Sequence, residues 1–418
     1  MNLRKNIFLR DVSILSLGTL IAQIINLGSI FLLSRIYGVE AFGTLALFMA
    51  YGSIIFSFST LKLDLAIVKT KVLKEKLALI QLSFFSIFTI SILISIGLFI
   101  WSFWNMKLNQ SFIFSLFIFC IVNGGNQVLV YFFNSEKEYS NITFAKILLA
   151  LANLVFAFLF IYWSPNQGLI WALILANFCS FFLLLLFFGK KINAIFKIDQ
   201  SILKQGLNKN NKFIRFTTPA SFLDTLSYQV IFIFLSEYFS ESITGSFFMA
   251  MRVVYLPLTL IGSAISQVFY KDISDKISNN NLSTIDFFKI WKLLAKLGIV
   301  PFLILYFFGK DLFSFLLGEN WILAGEMAAV LAIVGFFTFL SSPTSSGFVV
   351  MNQQKYNLLN SSIRLTYTLL FLVWSARKGD IFFFLWSYTF AELMMMVLYN
   401  VVMLNLLKRV NREVKRIE

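Results

Sequence analysis

The 418-residue chain has no histidine, only two cysteines and five prolines, and only 13% charged residues. Without histidine there is no imidazole general base, no Ser-His-Asp or Cys-His nucleophile and no histidine-ligated metal. Cys120 and Cys179 stand alone in apolar runs without CxxC spacing, so neither a redox pair nor a disulfide framework is expected. The scarcity of proline leaves long helices uninterrupted. Neither a GxxxxGK[ST] loop nor a DxD pair occurs, which removes the usual cradles for nucleotide phosphates and metal-bound nucleotide sugars. No cofactor and no metal site are expected. A soluble domain carries about 25% charged residues; this chain has too little polar surface to cover a water-soluble globule.

What the chain has is apolar length: 59% of residues are hydrophobic and 52 are phenylalanine. Its solvent is a lipid bilayer. Crossing about 30 Å of hydrocarbon takes about 20 apolar residues. Twelve stretches qualify: 11–37, 41–58, 77–104, 111–133, 142–163, 169–188, 216–239, 243–270, 287–308, 321–351, 356–375 and 381–407. Several exceed 25 residues and must tilt or protrude. The basic start followed by such a long apolar run, with no cleavage site, reads as a first span rather than a cleaved leader.

The net charge of +15 would suit nucleic acid, but the positions of the charges exclude that partner. Alternate loops and both ends collect 26 lysines and arginines, against five in the opposite set, Arg35, Lys107, Lys310, Arg377 and Lys378. This asymmetry predicts that both termini are cytoplasmic, and twelve spans satisfy the parity. The opposite loops, such as 164–168 and 240–242, are too short to hold an external catalytic domain. No enzyme activity is expected.

A basic stretch at 190–215 divides the chain into a six-span half, 1–189, and a second, 216–418, with a basic tail. Each half starts on the same side, so a repeat must be parallel, about an axis along the membrane normal. At an offset of 202 residues Leu33-Ser34 matches Leu235-Ser236, Tyr37 lines up with Phe239, and Gly43 with Gly245. The expected fold is therefore an all-α polytopic membrane protein, about twelve helices in two pseudo-repeated lobes. The linker alternates isoleucines and leucines with lysines; it either lies as an amphipathic helix on the inner leaflet or simply ties the lobes together.

The first hairpin reads Ser34-Arg35-Ile36-Tyr37-Gly38-Val39-Glu40-Ala41-Phe42-Gly43, followed by Leu61-Lys62-Leu63-Asp64-Leu65-Ala66-Ile67-Val68. The second half carries Met249-Ala250-Met251-Arg252-Val253-Val254-Tyr255-Leu256-Pro257 running into Ile261-Gly262-Ser263. Gly318-Glu319-Asn320-Trp321, Ser342-Pro343 and Met351-Asn352-Gln353-Gln354-Lys355 follow. These segments, in this order over nearly the whole chain, resemble the bacterial O-antigen and capsule repeat-unit flippases of the multidrug/oligosaccharidyl-lipid/polysaccharide exporter superfamily. The resemblance implies an inner-membrane protein that moves an undecaprenyl-diphosphate-linked oligosaccharide from the inner to the outer leaflet by alternating access. The implied partners are that lipid-linked saccharide and membrane lipids, with or without a coupling ion.

An ionisable residue within a span is costly and is either paired or functional. Arg252 is a candidate for bidentate contact with the diphosphate; its alternative is an ion pair with Asp224 on the preceding span. Arg364 and Glu392 fall at nearly equal depth on neighbouring spans, which predicts a salt bridge, with substrate contact for Arg364 or proton coupling for Glu392 as alternatives. Lys146 either snorkels or meets the diphosphate. Arg10 is a candidate for the inner mouth of the cavity, and Asp11 caps the first helix. Glu326 has no evident partner. Gly124, Gly125, Pro257 and Pro343 are candidate bending points. A multidrug-type antiporter of the same superfamily is the main alternative reading, although a drug cation calls for carboxylates rather than arginines. A glycan polymerase or ligase is the second, disfavoured by the short loops.

Overall fold

The computed structural model describes residues 2–103, 109–189, 191–195, 198–259, 284–350 and 355–414. The Ile261-Gly262-Ser263 and Met351-Asn352-Gln353-Gln354 segments lie outside the described residues, as do the side chains of Arg10, Asp11 and Pro343. Every regular element among the described residues is helical. In order they are α1 (Asn2–Ser34), α2 (Val39–Ser59), α3 (Leu63–Lys69), α4 (Leu73–Ser102), α5 (Gln110–Ser135), α6 (Tyr139–Phe160), α7 (Gly168–Phe188), α8 (Lys191–Ile195) and α9 (Gln200–Lys209). A π-turn at Phe213–Thr217 leads into α10 (Thr218–Tyr238), followed by α11 (Glu241–Val254), α12 (Thr284–Leu317), α13 (Ile322–Val350), α14 (Lys355–Lys378) and α15 (Ile381–Val414).

Ten of these helices, α10 taken with its π-turn, are long and apolar enough to cross a bilayer, which makes the chain a multi-pass membrane protein. Of the twelve expected spans, the eighth is described only as far as α11 and the short stretch beyond it. The eleventh forms α14, which is long enough but carries Asn357, Asn360, Ser361, Ser362 and Arg364. One boundary needs correcting. The ninth span was expected to end at 308, with Lys310 in an outer loop. Instead α12 continues to Leu317, through Pro301 and past Lys310. Two contacts hold this extension: Gly309 packs against α13, and Lys310 lies 3.4 Å from Glu326, the carboxylate that lacked a partner in the sequence.

The structure divides into two compact units, Met1–Gln229 and Val230–Glu418. In the first, α2 and α5 are innermost, 61% of each span buried, while α1, α4 and α6 present most of their surface outward. That outer surface is apolar, with Phe85, Leu93, Phe144 and Leu159 all exposed, as lipid requires. The core joins Leu77, Ile80 and Ile87 of α4 to Leu129, Phe132 and Phe133 of α5 and to Leu184 and Phe188 of α7. Phe132 meets Phe188 edge-on with ring centroids 4.9 Å apart. Serines enter these spans because their hydroxyls bond their own helix, as Ser83 does to the Leu79 carbonyl at 2.8 Å and Ser57 to Ile54 at 2.7 Å. The candidate bending points Gly124 and Gly125 lie within unbroken α5, where Ile87 of α4 and Phe181 of α7 close in; added Cβ atoms would meet them at 2.9 and 2.6 Å.

The linker folds onto the first unit. Ile195 of α8 enters its core, and α9 lies along α4, with Lys209 2.9 Å from Glu75.

In the second unit, α12 and α13 touch backbone to backbone. A Cβ at Gly325 would stand 2.5 Å from the Gly309 carbonyl oxygen, and one at Gly309 2.7 Å from that of Gly325. Such close approach is what small residues supply in membrane helix pairs. Gly309→Val is expected to force the helices apart and cost on the order of 1–3 kcal/mol of stability, the range for overpacking. A thermal-unfolding scan of the purified variant checks this; an unchanged midpoint would show that the contact is not tight.

Candidate functional site

Arg252 lies on α11. The helix opens on Ser240, whose hydroxyl accepts the Ile243 amide at 3.1 Å, and buries Thr244, Phe247, Phe248, Ala250 and Val254. Val254 seats against Gly335 of α13. The helix stops at Val254, three residues before Pro257, which can donate no amide proton to the carbonyl one turn earlier. Pro257, named as a bending point, thus stands just beyond a real helix end. Arg252 occupies the last turn, where a cation complements the exposed carbonyls. Its side chain is exposed rather than buried. The guanidinium rests over the Phe248 ring, 5.1 Å from the centroid, and makes no ion pair among the described residues of its own unit. Asp224 belongs to the first unit, exposed on α10, where its carbonyl accepts the Ser227 hydroxyl at 2.7 Å.

Arg364 and Glu392 do meet. Arg364 Nε donates to Glu392 Oε1 at 2.8 Å, and the two residues are only 8% and 2% exposed. One turn along each helix stand further buried hydroxyls, Thr368 on α14 and Tyr388 and Thr389 on α15. The Tyr367 and Tyr388 rings lie 6.3 Å apart beside the pair. Arg364, also a candidate substrate contact, has its guanidinium engaged here by a carboxylate.

In the first unit Lys146 is half-buried on α6 and donates to Thr19 Oγ1 of α1 at 3.1 Å. The neighbouring Gly18 makes room for this, since Thr143 of α6 packs directly on it. Arg10 lies on the backbone of α1.

Among the described residues of this unit, one fully buried carboxylate lies outside the candidates read from the sequence. Asp64 is 1% exposed. Thr60 Oγ1 donates to its Oδ1 at 2.9 Å and Gln127 Nε2 to its Oδ2 at 3.2 Å. The chain reaches it through two successive left-handed residues, Leu61 and Lys62, with φ of 50° and 54°. Non-glycine residues there store strain that the surroundings must hold in place. Burial pulls the Lys62 ammonium below the ordinary lysine value, while the charge of Asp64 draws it back up. The available signal was periodicity: Asp64 and Ile67 share one face of α3, so an aspartate sits where a core residue belongs. Lys76, one of the loop cations in the charge count, is likewise buried and bonds Glu136 at 2.6 Å.

The first hairpin is fastened by Tyr37, 2% exposed, whose hydroxyl donates to the Ala157 carbonyl at 2.6 Å.

Comparison with known structures places this arrangement in one fold. An inward-facing multidrug resistance MATE family transporter of the MOP superfamily superposes with a TM-score of 0.71 at 15% identity, covering 93% of this chain and 96% of that one. The lipid II flippase MurJ, in an inward closed conformation, gives 0.69 at 12% identity over 93% of this chain and 87% of its own. A MOP superfamily transporter from Pyrococcus furiosus, described as having a binding pocket of reverse polarity, gives 0.54 at 14% identity, covering 97% and 96%. No curated protein sequence matches the chain. The family model described as polysaccharide biosynthesis protein matches residues 32–326. With the fold of MOP superfamily transporters and flippases and a match over most of its length, the chain belongs to this polysaccharide biosynthesis protein family.

Proposed function

We propose that this protein carries a polyprenyl-diphosphate-linked oligosaccharide from the inner to the outer leaflet of a bacterial inner membrane, with both termini cytoplasmic. In this reading twelve spans form two lobes, 1–189 and 216–418, joined by the linker 190–215, and rocking of the lobes exposes the head group to each side in turn. The observation that carries the reading is Arg252: an exposed guanidinium on the wall of an apolar helix, held over an aromatic face and without an acidic partner among the described residues of its own unit. A diphosphate crossing hydrocarbon needs such a cation, and the planar fork of arginine matches two phosphate oxygens at once. The prenyl tail needs no carrier and stays in lipid. Membership of a polysaccharide biosynthesis family supports a saccharide cargo, and one structure of the same fold is described as a lipid II flippase.

Deleting the gene and measuring lipid-linked oligosaccharides by mass spectrometry, with leaflet sidedness, tests the proposal. Complete repeat units are expected to accumulate on the polyprenyl diphosphate in the inner leaflet. Normal amounts and normal sidedness, in a host with no second exporter, would overturn it.

A further inference from the structure

Between α4, α5, α7 and the linker helices lies a groove of about 580 Å³ whose walls are almost wholly apolar. Phe188, Ile195 and Leu203 line it, and Phe85, 67% exposed, stands on the outward side of α4 at its margin. Among the described residues that line it, one polar group interrupts these walls. Gln81 lines the groove, and its Oε1 is buried with no hydrogen-bond partner. An orphaned buried polar atom has lost its water without gaining a partner, and the apolar walls offer it nothing. The surroundings are cationic. Lys204 follows Leu203 directly, is exposed and makes no ion pair among the described residues, and Lys74 is exposed near the start of α4. The same two helices, α4 and α9, share a second cavity of about 340 Å³, lined by Glu75, Gln205, Asn208 and Lys209. An apolar slot and a polar recess, its Lys209 paired with Glu75, thus adjoin the same helix pair.

We propose that the groove holds one acyl chain of an anionic glycerophospholipid, with its phosphate drawn to Lys204 and its ester linkage meeting the Gln81 amide. Three observations select this occupant. The first is size. With a methylene taken as about as large as a water molecule, roughly 30 Å³, a chain of about 16 carbons fills on the order of 500 Å³, which suits the groove. The second is Gln81. Turning its amide by half a rotation, equivalent at the level of heavy-atom shape, points the N–H inward, where an ester carbonyl accepts it. An isoprenoid tail carries no ester and would leave the amide orphaned. The third is charge: the exposed lysine on the linker favours a phosphate without a compensating ammonium. The bound lipid would fill the space between the linker and α4 and fix the linker against the first unit. The proposal is independent of which substrate the protein carries.

The test uses the full-length protein in nanodiscs containing equal parts phosphatidylglycerol and phosphatidylcholine, followed by mild detergent release and native mass spectrometry. One phosphatidylglycerol per chain is expected to remain bound, preferred over phosphatidylcholine by about tenfold. Leu203→Trp, which fills the groove, is expected to remove it, and Lys204→Glu to abolish the preference for the anionic lipid. If Leu203→Trp does not fold, Phe85→Trp obstructs the groove from its lipid-exposed margin. Ile299→Trp, placed in the apolar groove of about 290 Å³ between α12 and α13, should leave retention unchanged. Equal retention of the two lipids, retention that survives both groove-filling variants, loss on Ile299→Trp, or preference for an added polyprenyl phosphate would each overturn the proposal.

Discussion

Arg252→Gln is expected to abolish export of the glycan while leaving the amount of protein in the membrane unchanged. Each charge-assisted hydrogen bond to a phosphate is worth about 1.5–3 kcal/mol, so losing even one lowers transport about 10- to 150-fold. The fold should tolerate the change because the side chain is exposed and its neighbours Phe247, Phe248 and Val254 hold α11 without it. Arg252→Lys keeps the charge but not the planar fork, and intermediate export is expected. Surface glycan staining, normalised to immunoblotted membrane protein, measures both. Full export by Arg252→Gln would take the residue out of the substrate path. Loss of the protein itself would mean that Arg252 is a structural cation for the end of α11.

The second large effect concerns Arg364 and Glu392. Removing either partner leaves an unpaired charge at a site less than a tenth exposed, and breaking a buried pair in this way costs about 3–5 kcal/mol. Glu392→Ala and Arg364→Ala should each show that loss in thermal or denaturant unfolding of the purified protein. The double variant Arg364→Met with Glu392→Met should recover most of it, because well-packed apolar replacements of buried pairs are often neutral or stabilising. Export by the double variant then separates two roles. A stable and active double variant makes the pair a scaffold. A stable but inactive one gives a carboxylate or guanidinium of the pair a part in transport. A single-variant loss well under 1 kcal/mol would contradict the buried geometry.

The spans were legible because lipid imposes one strong rule, about 20 apolar residues per crossing, and Phe-rich runs such as α7 satisfy it without ambiguity. The Arg364–Glu392 pair was legible for a related reason: two opposite charges in neighbouring antiparallel spans can reach equal depth by counting alone. Asp64 was not. It lies between spans, where a charge needs no explanation, and only the left-handed turn at Leu61 and Lys62 swings it inward beneath Gln127. Nothing in the local pattern announces two successive non-glycine residues at positive φ. The end of α12 was hidden for the opposite reason. Gly309, Lys310 and Asp311 read as a loop, and the helix persists there only because Gly325 and Glu326 of α13 lie alongside. Sequence neighbours set the one kind of feature; partners from another helix set the other.

The glycine contact and the Lys310–Glu326 pair both sit close to the turn that joins α12 to α13. Contacts between residues near in sequence close small loops, so they form early and lose little chain entropy. During insertion into the bilayer, α12 and α13 would therefore zip from their shared turn into a finished hairpin before more distant helices arrive. The Gly335 face of that hairpin is then ready to receive Val254 of α11. The helix that carries the exposed arginine thus docks onto a hairpin that its own local contacts hold together.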